Sequence, residues 1–470
     1  MSSFSPQPLS PLDGRYHQTV SPLGAFLSEA GLNRARIQIE VDWLLFLTDR
    51  ELFGSHPITG DARHALSRLA AEFGDEEIAE LAVLEATTKH DVKAVEYFVR
   101  KRLGDLGLAD IAELTHFACT SEDINNLSYA VVIRDAVTAV WLPAFQGVIE
   151  ELRHQAVKYR DEAMLARTHG QPATPTTMGK EIAVTVYRLE RILKQIEASE
   201  YLGKFSGATG TFAAHLAADF DLDWQSLSKE FVTSLGLEWN PLTTQIESHD
   251  WQAELYSRIS HANRVLHNLC TDFWTYISLG YFTQIPVVGA TGSSTMPHKI
   301  NPIKFENAEA NLELSSALLD SLSQTLVTSR LQRDLTDSTT QRNVGVALGH
   351  SLLALANIQG GLNAVSLNSA LLAADLDENW EVLGEAIQTV VRAEITAGRS
   401  SVTDPYALLK ELTRGKRIGA AELTEFVSGL DIGDSAKASL LALTPPRYVG
   451  LASALVAHIQ PGRIQPGNIS

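Results

Sequence analysis

Between Leu255 and Tyr276 the apolar positions Leu255, Ile259, Ala262, Leu266, Leu269, Phe273 and Tyr276 recur in alternating steps of four and three. That spacing keeps one stripe of a helix turned toward a neighbour over many turns. A second seam runs through Ile182, Val186, Leu189, Leu193 and Ile196, with Lys180, Glu181, Arg188, Glu190, Arg191 and Lys194 on the other faces. Leu312, Leu319, Leu322 and Leu326 form a third, and Val344, Leu348, Leu352 and Leu355 a fourth. Helices striped in this way pack at shallow crossing angles, which predicts a bundle. No sustained apolar/polar alternation bounded by turn pairs of the Asn-Gly type stands out, so no substantial sheet is expected. The fold class is mainly α, a three-part subunit with a long central helical bundle.

The texture changes on either side of the seams. Residues 1–114 mix shorter helical patterns with breaks at Pro57-Ile58-Thr59-Gly60 and Gly104-Asp105-Leu106-Gly107 and read as an N-terminal helical domain. Residues 115–364 carry the seams and form the central bundle. Residues 365–470 return to short helices, punctuated by Gly398-Arg399-Ser400-Ser401 and Pro445-Pro446. From Ile459 to Ser470 two Pro-Gly pairs and few apolar residues predict a flexible tail.

Composition narrows the function. The 470 residues are 45% hydrophobic and 20% charged, with 38 Lys+Arg against 56 Asp+Glu, so the balance is 38 − 56 = −18. A field of that sign opposes docking on a nucleic-acid backbone or an anionic membrane, and neither is expected as a partner. An anionic ligand would need a local basic pocket. Cys119 and Cys270 cannot build a disulfide framework and fit a reducing compartment, with the cytoplasm as the default. The start, Met1 to Pro8, lacks the basic and apolar runs of a secretory signal, and no window of about 18 uncharged apolar residues is present.

Several segments exceed what packing requires. Gly289-Ala290-Thr291-Gly292-Ser293-Ser294-Thr295-Met296-Pro297-His298-Lys299-Ile300-Asn301-Pro302 combines glycines, hydroxyl groups, an imidazole and an ammonium. It reads either as a functional loop or as a surface linker before Phe305. It is not a phosphate-cradling loop, since no Gly-Lys-Ser/Thr follows at the required spacing. In Arg167-Thr168-His169-Gly170-Gln171-Pro172-Ala173-Thr174-Pro175 a helix cannot continue, so His169 is expected to project from a constrained turn. Thr87 to Lys93 and His116 to Asp123 are likewise dense in polar groups. Arg330, Arg333 and Arg342 bracket Asp334 to Gln341. Their guanidinium groups suit an anion pocket or, equally, a solvated face paired with Asp334 and Asp337. No metal-ligand spacing such as His-Glu-x-x-His is present, so no metal is implied. From residue chemistry alone His298 is the natural base of an acid/base site.

Gly292 to Pro302, with Glu306 beyond it, resembles the signature of the fumarase/aspartase superfamily. Lys89-His90-Asp91-Val92-Lys93-Ala94, Thr120-Ser121-Glu122-Asp123, Thr168-His169-Gly170-Gln171-Pro172-Ala173 and Glu411-Leu412-Thr413-Arg414-Gly415-Lys416 look like the bacterial type of its adenylosuccinate lyase family. The similarity runs from Asp13-Gly14-Arg15-Tyr16 to about Leu451.

The resemblance implies a homotetramer whose active sites are shared between subunits, acting on small nucleotide substrates without a cofactor. The implied reaction releases fumarate from adenylosuccinate, giving AMP, and from succinyl-aminoimidazole carboxamide ribotide. It assigns Ser293 as base, His169 as acid and His90 as an orienting group. A serine base requires a stabilised alkoxide, which loop amides and Lys299 would supply as oxyanion holes do. Histidine suits the acid because imidazole ordinarily titrates near 6.5. Lys299 and Asn301 would hold the carboxylates, Thr120 and Ser121 would add hydroxyl donors, and Glu306 would order the loop. Arg15, Tyr16, Gln245, Asn307, Arg333, Ser338 and Arg342 would bind the nucleotide and its phosphate. Lys89, Asp91, Thr339, Thr340 and Gln341 complete the substrate-binding set. Lys89 departs from the family pattern, where a neutral Asn is common. The alternatives are another superfamily member, such as an argininosuccinate lyase or a carboxymuconate cycloisomerase, and a non-catalytic structural homologue.

Overall fold

The computed structural model describes residues 7–286, 296, 299–413 and 418–459, with main chain only at 411–413. Among them helices dominate, and strands are confined to three two-stranded sheets. This is the mainly α class that the hydrophobic spacing predicts. By its internal contacts the chain divides into two compact units. One gathers Met1–Gln146, Ile192–His267 and Ala308–Ala356; the other gathers Gly147–Arg191, Asn268–Asn307 and Asn357–Ser470.

The four seams fall in the helices Met178–Glu197, Asp250–Ser278, Ile303–Leu326 and Val344–Leu362. Every seam position named above is buried except Leu193 and Tyr276, which are half-buried. In the first unit a buried polar relay adds register to this apolar packing. Trp141 Nε1 donates to Ser351 Oγ (2.8 Å), Ser351 Oγ to Asn263 Oδ1 (2.8 Å), Asn263 Nδ2 to Ser315 Oγ (3.0 Å), and Ser315 Oγ to the Ala347 carbonyl (2.8 Å). A buried polar group left without its partner costs roughly 1–3 kcal/mol, so a slipped helix would be penalised at each link.

The N-terminal region departs from the short patterns read there. Glu29–Thr48 is one helix of 20 residues. Ile37, Val41 and Leu44 are buried, but so are Arg36, Glu40, Trp43 and Phe46 on its other faces, so no single stripe marks it in the sequence. Ile37, Val41 and Leu44 pack with Leu66, Phe73, Leu81, Val95, Phe98 and Leu103, while Trp43 meets Phe205 and Phe231 at 4.4 and 5.0 Å between ring centroids. A second long run, Ser121–Lys158, contains a π-helical turn at Val137–Trp141. By length and composition it could cross a membrane, but 56% of its most apolar window is buried within the chain, as in a core helix.

In the second unit Leu383, Ile387 and Val391 pack with Ile418, Leu423, Val427 and Leu440. The strands Ala163–Thr168 and Gln171–Thr177 pair as an antiparallel hairpin. Its loop is His169-Gly170, with φ of +54° and +74°. Positive φ at both central residues matches the twist of the flanking strands, so His-Gly takes the place of the more familiar Asn-Gly pair. Arg167 anchors the hairpin, donating to the Tyr281 hydroxyl (2.7 Å) and to Asp375 (2.8 Å). The tail expected at 459–470 lies outside the described residues apart from Ile459, which is buried.

Candidate active site

Two helix N-termini in the first unit open on one cavity of about 500 Å³. The helix Asp75–Thr88 ends at Lys89, whose φ of +55° reverses the chain directly into His90. His90 Nδ1 accepts the Lys93 N–H at 3.3 Å and caps the helix Asp91–Asp105. In neutral His90 the ring proton therefore sits on Nε2, which lies 3.4 Å from Ser121 Oγ. Thr120 and Ser121 open the second helix, Ser121–Ala136. The Thr120 N–H donates to Asp123 (2.8 Å), which also accepts the N–H groups of Ser206 and Gly207 and pairs with Lys204.

Cations line the same cavity. Arg333 lies 2.5 Å from Glu122 and donates to Ser338 Oγ at 3.1 Å. Arg342 lies 3.1 Å from Asp91 and 3.5 Å from Glu29. Arg36, almost wholly buried, bonds to Asn33, Asn125 and Asp91, each at 2.9 Å. Burial pushes the Asp91 carboxyl up, but Arg36, the Val92 N–H and Arg342 outweigh it and hold Asp91 below its ordinary value. Burial pushes the Tyr129 phenol to about 12 against the fields of Arg36 and Arg342, so it is a neutral donor at pH 7. Lys89, Glu85, Leu335 and Gln245 complete the lining, with Gln245 Nε2 held by the Ala208 carbonyl at 2.9 Å.

The structure divides the arginine cluster between its two readings. Arg330 is exposed and pairs with Asp334 at 3.4 Å, where the Thr336 amide and hydroxyl and the Arg330 amide hold the carboxyl at about 2. Arg333 and Arg342 face the cavity instead. Asp337 pairs with buried His249 at 3.3 Å.

Not every expected residue reaches this cavity. Thr339 and Thr340 direct their hydroxyls at the Leu335 and Thr336 carbonyls of their own helix (3.5 and 2.7 Å), and Gln341 is buried with Nε2 3.3 Å from His249. Arg15 is exposed, with its guanidinium 5.8 Å from the ring centre of Tyr16, in the turn before the helix His17–Leu27. The second unit carries the rest. His169 is exposed at the hairpin tip. Lys299 is exposed and its N–H donates to the Met296 carbonyl (2.9 Å). Glu306 accepts from Trp274 Nε1 (3.1 Å), Asn307 accepts from Asn357 (3.0 Å), and Asn301 is half-buried. Ser293, His298 and the Arg414 to Lys416 stretch lie outside the described residues.

Arg36, Glu85, Glu122, Asn125 and Tyr129 line the cavity although the sequence reading assigned them no role. A signal for three of them exists: in the helix Ser121–Ala136, Glu122, Asn125, Asn126 and Tyr129 recur at helical spacing and make one polar face. Among the described residues no group of three or more His, Cys, Asp or Glu could hold a metal ion.

Residues 14–313 match the lyase family model, and residues 329–449 match the adenylosuccinate lyase C-terminal model. The chain is 47% identical to the adenylosuccinate lyase of Escherichia coli K12 over 454 residues, which cover 96% of this chain and 98% of that protein. The chain belongs to the adenylosuccinate lyase family. It is also 47% identical to the Haemophilus influenzae adenylosuccinate lyase over 453 residues, with the same coverage of each chain. Membership places it among the lyases of the fumarase/aspartase superfamily. Solved structures agree at the level of fold. A fumarate lyase from Mesorhizobium sp. BNC1 superposes with a TM-score of 0.73 at 19% identity, covering 94% of this chain and 98% of its own. The 3-carboxy-cis,cis-muconate lactonizing enzyme of Pseudomonas putida gives 0.72 at 20%, covering 93% and 96%.

Proposed function

We propose that this lyase eliminates fumarate from adenylosuccinate, giving AMP, and from succinyl-aminoimidazole carboxamide ribotide. The observation that carries the reading is the cavity of the first unit. Arg36, Lys89, Arg333 and Arg342 outnumber Glu85, Asp91 and Glu122 in its lining, and two helix N-termini add to that positive balance, in a chain of net charge −18. A substrate with a phosphate and two carboxylates requires such a local field.

In the reaction a base removes a proton from the carbon beside a carboxylate, and its electron pair first rests on that carboxylate. The pair then forms the fumarate double bond as the carbon–nitrogen bond breaks toward nitrogen, which an acid protonates. Ser293 is the base, with Lys299 stabilising its alkoxide, and His169 is the acid. His90 orients the substrate, its Nε2–H directed toward the Ser121 side of the cavity. Thr120, Ser121 and Asn301 add donors to the carboxylates, and Arg333, Arg342, Ser338 and Gln245 take the phosphate and nucleotide. Arg15, Tyr16 and Asn307 belong to the same nucleotide set, Glu306 orders the Ser293 loop, and Asp91 orients Arg342. Thr339, Thr340 and Gln341 act by fixing the short helix that carries Ser338.

The enzyme assembles as a cytoplasmic homotetramer in which segments of three subunits complete each site. Each subunit has three sequential parts, 1–114, 115–364 and 365–470. Exposed Val184, Tyr187, Trp274 and Leu314 on the long helices offer apolar surface for that assembly. Purified protein given adenylosuccinate should release AMP and fumarate, and Ser293→Ala should lower kcat by several orders of magnitude with KM little changed. Turnover of argininosuccinate or a carboxymuconate in place of adenylosuccinate would overturn the reading.

A further inference from the structure

The turn that delivers Thr120 and Ser121 to the cavity is strained and gripped by groups that do not line the cavity. His116 and Ala118 both adopt φ of +57°, a region that L side chains rarely occupy. Glu40, fully buried in the helix Glu29–Thr48, commits both carboxylate oxygens to His116. Its Oε2 accepts the His116 N–H at 3.0 Å, and its Oε1 lies 2.6 Å from Nδ1. Trp43 of the same helix donates Nε1 to the Phe117 carbonyl at 3.0 Å, and Asp123 accepts the Thr120 N–H at 2.8 Å. Neither Glu40 nor His116 lines the cavity or has a part in the elimination as assigned above. Packing does not explain them either, because an apolar residue of similar volume fills such a site without desolvating a charge.

We propose that Glu40 and His116 are positioning residues for substrate: the buried carboxylate holds His116 in its left-handed conformation, so that the Thr120 and Ser121 hydroxyls stand at the cavity and Ser121 stays within reach of His90. The inference rests on the cavity being the substrate site. Three carboxylates face His116, from Glu40 on one helix, Glu96 on Asp91–Asp105 and Asp123 on Ser121–Ala136, and Glu96 is itself paired with Lys93 and Arg100. Burial pulls the imidazole down, but the Glu40 hydrogen bond and these charges outweigh it and raise His116 above its ordinary value. The grip is therefore strongest as a carboxylate–imidazolium pair.

Glu40→Gln and His116→Asn test the proposal. Asn tolerates a left-handed backbone and keeps the N–H, so it removes the imidazole alone. Hydrogen exchange of the full-length enzyme, read by peptide, should quicken at 115–124 and stay unchanged elsewhere. Steady-state kinetics with adenylosuccinate should show KM raised about tenfold and kcat changed by less than about threefold, the split expected when binding geometry and not chemistry is disturbed. Unchanged exchange at 115–124 overturns the clamp. A loosened turn with unchanged KM, or activity lost only in proportion to folded protein, overturns the link to substrate. If the unaltered enzyme does not turn over adenylosuccinate, the reading of the site fails and the substrate half of the proposal falls with it. A failure in the exchange measurement alone leaves that reading intact.

Discussion

Lys204 Nζ lies 2.8 Å from Asp123 Oδ1, and neither side chain reaches solvent. Asp123 opens the helix that presents Thr120 and Ser121, and its carboxylate also accepts three backbone N–H groups, from Thr120, Ser206 and Gly207. One buried charge thus ties the cavity wall to the 203–207 segment. Removing the ammonium leaves the carboxylate its amide donors but no counter-charge. Lys204→Met should therefore destabilise the protein by about 3–5 kcal/mol in urea unfolding, the usual result of breaking a buried pair. Adding Asp123→Asn should recover part of the loss. A cost below about 1 kcal/mol would mean that the amides alone neutralise Asp123.

Arg333 is held between a structural and a ligand role. Its partner Glu122 is buried and also accepts from Asn125 at 2.8 Å. Arg333→Gln should raise KM for adenylosuccinate by roughly 10–100-fold, since a hydrogen bond to a charged group is worth about 1.5–3 kcal/mol. It should also lower stability by leaving Glu122 charged without its counter-ion. Glu122→Gln with Arg333→Gln should restore stability while KM stays high. Recovery of both together would assign Arg333 to structure alone.

These two pairs also show which parts of the site sequence reading reaches. The seams of the Met178–Glu197, Asp250–Ser278 and Ile303–Leu326 helices are legible because each buries one face, and a one-faced helix writes its period into the chain, whereas Val344–Leu362 is buried on nearly every face and shows only through the spacing of Val344, Leu348, Leu352 and Leu355. Glu29–Thr48 buries Arg36, Glu40 and Trp43 as well as its leucines, so its pattern has no period to read. Motif-borne groups such as His90, Thr120, Ser121 and Arg333 are found from sequence because they stand in turns that packing does not explain. Arg36 and Lys204 escape because their partners are 55 and 81 positions away in the chain, at Asp91 and Asp123. The Thr168-His169-Gly170-Gln171 hairpin turn escapes as a hairpin because histidine at positive φ is uncommon outside constrained sites.

That turn separates fold from chemistry at His169. A histidine at φ +54° carries strain that Asn, which tolerates this region, carries less. His169→Asn should leave the hairpin and the thermal midpoint unchanged or slightly raised. Its kcat should fall about 10²–10⁴-fold, the usual contribution of a positioned acid. Circular dichroism melting and product-release assays on one preparation measure both. A variant with parental kcat would remove His169 from the acid role.

His215 contributes to the loss of stability in acid, alongside His350, whose imidazole burial also lowers. His215 is buried among Phe205, Phe212 and Trp224, with ring centroids 6.1, 5.5 and 5.0 Å away, and neither ring nitrogen has a hydrogen-bond partner among the described residues. Burial holds its imidazole below the ordinary value, against the field of Asp123. The unfolded chain therefore takes up a proton near pH 6.5 that the folded chain refuses, and stability falls as pH drops through that value. The slope from this group is at most about 1.4 kcal/mol per pH unit and vanishes below the folded value. Glu40-paired His116 works in the opposite sense, since its raised value favours the folded form at lower pH. The test is accordingly the difference between two unfolding series, parent and His215→Phe, from pH 8 to pH 5. The phenyl ring keeps the aromatic contacts and removes the titration, so the variant should gain on the parent steadily below about pH 6.5. Parallel curves across that range would show that the imidazole finds a proton acceptor in the fold and that another group governs acid sensitivity.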